Sequence, residues 1–65
     1  MAKIWEPKDK DILTSWILAC LEVETELSKW EYDFILSLQE QLEHKSHLSE
    51  RQEEILERIY AERTH

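Results

Sequence analysis

The sequence contains no glycine, one proline and one cysteine among its 65 residues. Because glycine and proline are the residues that most disfavour helix interiors, their scarcity favours an all-α domain. A single cysteine excludes an internal disulfide framework, and we expect Cys20 to pack as a small buried hydrophobe in a reducing compartment. The lack of glycine also excludes phosphate-binding glycine loops and dinucleotide-binding fingerprints.

The chain is short enough to form one domain at most, spanning residues 1–65. A domain of this size can hardly enclose a substrate, and no spacing of Ser, His and Asp marks a nucleophile, so we predict no enzyme activity and no cofactor. His44 and His47 have the spacing of a helical metal pair. Two histidines at a helix end more often interact with the helix dipole, so we predict no metal site.

No segment reaches the roughly 20 apolar residues needed to span a bilayer. The most apolar run is "ILTSWILAC", residues 12–20, which ends in a sequence that partly resembles a lipoprotein cleavage site. A signal of that kind needs a basic leader, yet Glu6, Asp9 and Asp11 precede the run. We therefore interpret it as a core helix and expect no membrane contact. The expected location is the cytoplasm, that of the host cell if a phage encodes the protein.

Three helices are predicted, at about residues 7–23, 29–44 and 50–62. Pro7 suits the first position of the first helix, since its missing N–H would have no partner there. This helix is apolar at helical spacing along Ile12, Trp16, Ala19 and Val23, and Leu13, Ile17, Cys20 and Leu21 widen that face. So apolar a helix is expected at the centre of the domain, or shared with a second copy of the chain in a homodimer.

The second and third helices each begin with a capping-box sequence, Ser28 to Glu31 and Ser49 to Gln52. The expected buried positions are Phe34, Ile35, Leu38 and Leu42 in the second helix, and Ile55, Leu56 and Ile59 in the third. The intervening "EVETEL" is interpreted as the frayed end of the first helix plus a turn. Short connectors favour antiparallel neighbours, so the prediction is a small three-helix bundle.

The negative charge is concentrated in one part of the chain. The formal net charge is −7, and residues 22–43 hold most of the excess, with Lys29 as their only basic residue. The seven acids of this segment are the predicted partner-binding residues: Glu22, Glu24, Glu26, Glu31, Asp33, Glu40 and Glu43. Such a run is often only a solvated face that keeps a protein soluble. Crowded like charges nevertheless cost stability, which favours a surface made for a basic partner.

The proteins with the densest basic surfaces are those that bind nucleic acid. Carboxylates three or four positions apart on a helix lie about 5–6 Å from each other, close to the spacing of phosphates along a strand. An acidic helix can therefore occupy a groove that evolved for DNA or RNA. Direct binding to nucleic acid is not expected, because no basic patch is present to neutralise phosphates.

Residues 27–64 resemble a short helical module with the pattern L-S-x-W-E-x-x-F followed by L-S-x-x-Q-x-x-I-L-x-x-I-Y. Modules of this kind occur in phage and bacterial proteins of DNA metabolism. The resemblance lies in caps and core positions, so it implies the helical fold and a phage or mobile-element context. In size and charge the chain is also similar to small acidic phage proteins that mimic DNA, including anti-CRISPR proteins.

The leading hypothesis is a non-enzymatic inhibitor, anti-CRISPR-like, whose acidic residues block the nucleic-acid groove of a basic host effector. The alternative is a structural or assembly module of phage replication or recombination proteins, which binds through an apolar helix face. In that case Trp5 would be a candidate contact residue, unless it packs on the bundle. A third hypothesis is an antitoxin-like binder.

Overall fold

Three α-helices and one short 3-10 helix make up the fold in the computed structural model, which describes residues 6–45 and 47–64. The α-helices are α1 (Lys10–Glu22), α2 (Lys29–His44) and α3 (Glu50–Arg63). The 3-10 helix, Glu24–Glu26, connects α1 to α2 where the sequence suggested a frayed helix end and a turn. The predicted all-α three-helix bundle is confirmed. Trp5 lies outside the described residues.

The first helix begins three residues later than expected. The chain is extended at Asp9, whose carbonyl accepts the N–H of Leu13 at 3.1 Å, and Pro7 precedes the helix. A tertiary contact lies just ahead of the helix, where the carboxylate of Glu53 accepts the backbone N–H of Lys8 at 3.0 Å. This contact holds the residues before α1 against α3.

The starts of α2 and α3 confirm both predicted capping boxes. Ser28 Oγ accepts the Glu31 N–H at 3.2 Å, while Glu31 Oε1 accepts the Ser28 N–H at 2.9 Å. At the start of α3, Ser49 Oγ accepts the Gln52 N–H at 3.1 Å, and Gln52 Oε1 accepts the Ser49 N–H at 2.9 Å. These local hydrogen bonds satisfy N–H groups that the first helical turn leaves without a partner.

The core lies where α1 packs against both other helices, which contact each other less extensively. Contacts at both ends of α2 show that it runs antiparallel to α3: Glu31 lies near Arg63, and Gln41 exchanges two hydrogen bonds with Gln52. Among the described residues, nine hydrophobic side chains are buried: Leu13, Ile17, Cys20, Ile35, Leu38, Leu42, Leu48, Leu56 and Ile59. The predictions that α1 is central and that Cys20 is buried are therefore confirmed.

The centre of the buried face of α1 differs from the predicted face along Ile12, Trp16, Ala19 and Val23. Leu13, Ile17 and Cys20 form its centre, whereas Ile12 is 43% exposed. The other three residues of the expected face, Trp16, Ala19 and Val23, are half-buried. Apolar residues surround most of α1, so their spacing alone could not show which side faces the core. Phe34 and Ile55 are likewise only half-buried.

Within residues 6–45 and 47–64, no helix combines the length and the apolar character needed to cross a bilayer.

The two isoleucines on α1 allow a matched test of this packing. Ile17 is 1% exposed, so Ile17→Val should lower the free energy of unfolding by about 1 kcal/mol through the lost methylene and the cavity it leaves. Ile12→Val removes the same group from an exposed position and should change the free energy of unfolding by less than about 0.5 kcal/mol. Urea unfolding followed by circular dichroism measures both values, and equal losses would contradict the observed face.

Candidate functional site

Glu31 has a structural role at the start of α2. The residue is only 8% exposed, and its two carboxylate oxygens lie 3.3 and 3.4 Å from Nη2 of Arg63 near the end of α3. The backbone N–H of Ser28 holds the pKa of Glu31 below its usual range, with Arg63 adding to this effect against the opposing effect of burial. Of the seven acids predicted to bind a partner, this one is withdrawn from the exposed surface.

A second buried carboxylate, Glu53, was not anticipated. It is 2% exposed and accepts the Lys8 backbone N–H at 3.0 Å, with Lys8 Nζ at 3.5 Å. The same Nζ lies 5.6 Å from the centroid of the Trp16 ring. The available signal was the position of Glu53 three residues before buried Leu56, which places both on one side of α3.

The other six predicted residues are exposed, and the structure distributes them over different parts of the surface. Asp33 and Glu40 lie on the outer side of α2, and Asp33 pairs with Lys29 at 3.3 Å. Glu43 borders a small pocket together with Lys10 of α1. Glu22, Glu24 and Glu26 lie at the end of α1 and in the 3-10 helix. The docking role of these residues stays a prediction.

Few of the exposed carboxylates have a cationic partner. Among the fifteen Asp and Glu residues, three take part in ion pairs within the described part of the chain: Glu31, Asp33 and Glu53. Two of these are the buried ones, which engage Arg63 and Lys8. Because each buried carboxylate is matched by one cation, the formal net charge of −7 is carried by the remaining, mostly exposed side chains.

An open groove of about 800 Å³, here called the α1–α3 groove, is lined by residues of α1, of the 3-10 helix and of the second half of α3. Its apolar lining includes Trp16 and Tyr60, whose rings stack with their centroids 5.3 Å apart. The lining is completed by small or aliphatic residues, by four carboxylates and by the end of α3: Ala19, Val23, Ala61, Glu22, Glu26, Glu57, Glu62, Arg63 and Thr64. Glu22 and Glu26 thus meet acids of α3 that the sequence analysis did not group with them.

Large apolar side chains are also exposed outside this groove. Trp30 is 60% exposed and stacks on Phe34 with ring centroids 5.5 Å apart. Leu36 on α2, and Ile12 and Leu18 on α1, are exposed as well. Exposed aromatic and aliphatic side chains are frequent anchors in protein interfaces.

The thiol of Cys20 is poorly suited to nucleophilic chemistry. Burial raises the pKa of the Cys20 thiol, and the negative charge of Glu31 raises it further. The protonated thiol packs in the core as a small hydrophobe. His44 and His47 are both exposed.

Comparison with known proteins gave no match, whether to a family model, to a curated protein or to a solved structure.

The low pKa of Glu31 predicts a specific pH dependence. Its carboxylate stabilises the fold fully above the unfolded pKa of about 4.3, and the contribution is lost as the pH falls through the lower folded pKa. Glu31→Gln should therefore lower the free energy of unfolding at pH 7 by about 1 kcal/mol, since charge-assisted hydrogen bonds become neutral ones. Once the pH is below the folded pKa of Glu31, the variant and the unaltered protein should converge.

The matched control is Glu40→Gln, which neutralises an exposed carboxylate of the same helix. Its effect should be small at every pH, because an exposed charge contributes little to stability. Urea unfolding across the acidic range measures both variants. A difference between Glu31→Gln and the unaltered protein that persists unchanged in acid would contradict the role given to the carboxylate.

Proposed function

We propose that this domain is a non-enzymatic inhibitor that places its acidic surface in the basic, nucleic-acid-binding groove of a partner protein. The observation that carries this proposal is the excess of exposed carboxylates that have no cation beside them in residues 6–45 and 47–64. The two cations held by buried Glu31 and Glu53 cannot offset that excess at the surface.

The outer side of α2 supports the proposal through its geometry. Asp33 and Glu40 are seven residues apart, which places them two helical turns, or about 10 Å, from each other along the helix axis. Both carboxylates are exposed, so they place negative charge along this side of the helix, with Asp33 partly offset by Lys29 at 3.3 Å. A basic groove would meet mainly negative charge there.

The physical consequence is electrostatic steering. A surface of one charge sign raises the rate of encounter with an oppositely charged groove and disfavours acidic partners. The partner class is a basic, nucleic-acid-binding protein, and the similarity in size and charge to small acidic phage proteins makes CRISPR effectors the first candidates. On this proposal the protein acts in the cytoplasm of the host cell.

The second candidate function is an assembly module of phage replication or recombination proteins that binds through an apolar face. The observation in its favour is the exposure of Trp30, Leu18 and Leu36. Binding of this type would depend on buried apolar area and would tolerate salt.

Neutralising part of the acidic surface tests the first proposal. In Glu24→Gln/Glu40→Gln/Glu43→Gln, the inhibitor's ability to displace labelled target DNA from purified CRISPR effectors should fall by about tenfold, a loss of about 1.4 kcal/mol in binding. Raising NaCl from about 50 to about 200 mM should also weaken DNA displacement by the unaltered inhibitor, because salt screens the charges involved. Fluorescence anisotropy of the DNA measures the displacement.

The matched control is Glu6→Gln/Glu50→Gln/Glu54→Gln, which removes the same charge from exposed positions outside residues 22–43. It should retain most of the inhibition, since the docking charges stay in place. Equal losses in the two variants would contradict a localised docking surface. Salt-independent displacement that is abolished by Trp30→Ser would support the assembly function instead.

A further inference from the structure

We infer that the α1–α3 groove docks a basic amphipathic helix of a partner protein. This site is distinct from the outer side of α2 and does not require that the domain mimic nucleic acid. It follows from three features of the groove: an apolar lining, an acidic rim, and the engagement of the neighbouring cations elsewhere.

The apolar lining arises from the way α1 packs. Its core side is occupied by Leu13, Ile17 and Cys20, so the flank that carries Trp16, Ala19 and Val23 is only half-buried. Tyr60 and Ala61 of α3 continue this flank across the groove. A surface of stacked aromatic rings beside small side chains suits the apolar face of a further helix.

The dimensions match a short helical segment. Trp16 and Ala19 lie about one turn apart on α1, and Val23 follows at the end of the helix, so these side chains extend over about 10 Å. A partner helix lying beside them can present anchor residues at positions i, i+3 or i+4, and i+7. The volume of about 800 Å³ accommodates two or three such side chains.

The rim of the groove selects a basic partner. Glu22 and Glu26 contribute carboxylates from the α1 side, and Glu57 and Glu62 contribute them from α3. Arg63 also lines the groove, but its guanidinium lies 3.3 Å from the carboxylate of Glu31.

Lys8, the cation near the ring of Trp16, is paired with Glu53 in the same way. Lysines or arginines that flank the apolar face of a docked helix would therefore meet carboxylates that have no ion-pair partner within residues 6–45 and 47–64. A second copy of this chain, with a net charge of −7, would meet repulsion there.

The test uses a synthetic helical peptide of Leu and Lys, with Leu at positions i, i+3, i+4 and i+7, and NMR amide spectra of the full chain. We expect the largest shifts at Ala19, Val23, Tyr60 and Ala61. Ala61→Arg places a bulky cation in the groove from an exposed position and should weaken binding by about tenfold or more. Ser37→Arg adds the same group at an exposed position of α2 and should leave the affinity within about twofold of that of the unaltered protein.

A second pair of variants separates this site from the acidic side of α2. Glu22→Gln/Glu26→Gln should lower the affinity for the Leu and Lys peptide more than Glu40→Gln/Glu43→Gln does, although each pair of substitutions removes two charges. The reverse order, or shifts centred on α2, would overturn the inference. An analogous Leu and Glu peptide should not bind, and binding of that peptide would overturn the charge argument.

Two alternatives to a partner helix in the groove give distinguishable results. A variant that lacks residues 2–5 should bind the peptide with unchanged or higher affinity, and loss of binding would show that this segment, not the groove, holds the peptide. A dimer seen by analytical ultracentrifugation and abolished by Ala61→Arg would assign the groove to a second copy and overturn the inference. A monomer at all tested concentrations supports it.

Discussion

Two buried carboxylates, each paired with a cation from a distant part of the chain, connect the fold of this protein to its surface charge. Glu31 at the start of α2 holds Arg63 near the end of α3, and Glu53 near the start of α3 holds Lys8 ahead of α1. Burial of a charge is costly, so such pairs specify an arrangement more than they add stability. Here they fix both ends of α3 against the rest of the bundle.

The same pairs keep two of the chain's cations beside buried carboxylates. A chain of 65 residues buries a modest core, and crowding negative charge on it adds self-repulsion that lowers its stability. Because Arg63 and Lys8 are engaged by buried groups, they offset little of the charge at the groove or at the outer side of α2. Each pair holds one acid and one base, so the net charge of −7 stays on the remaining, mostly exposed side chains.

The local features of the fold were predictable, whereas those that depend on tertiary contacts were not. The capping boxes at Ser28 and Ser49 depend on residues three apart, so the sequence contains all the information they need. The start of α1 was placed three residues too early, and the contact beside it joins Lys8 to Glu53, 45 positions away in the chain. The choice of Ile17 over Ile12 for the core depends on where α2 and α3 lie.

In the candidate site, too, local properties were predictable from the sequence and tertiary contacts were not. Exposure was correctly expected for most of the acids of residues 22–43, since carboxylates without partners are rarely buried. Glu31 was assigned to both a cap and the docking surface, and the two roles proved incompatible because the cap and Arg63 bury its carboxylate. The grouping of Glu22 and Glu26 with Glu57 could not be seen from the sequence, because it requires knowing which face of α3 lies beside α1.

The central claim is that the surface charge of this domain is uncompensated, and the dependence of stability on salt tests it most directly. Screening should relieve repulsion among the exposed carboxylates while affecting the buried pairs less. The account predicts that the free energy of unfolding, measured in urea, rises as NaCl is increased from about 10 to about 200 mM. A free energy of unfolding that falls over this range would show that surface ion pairs dominate, and would contradict the account.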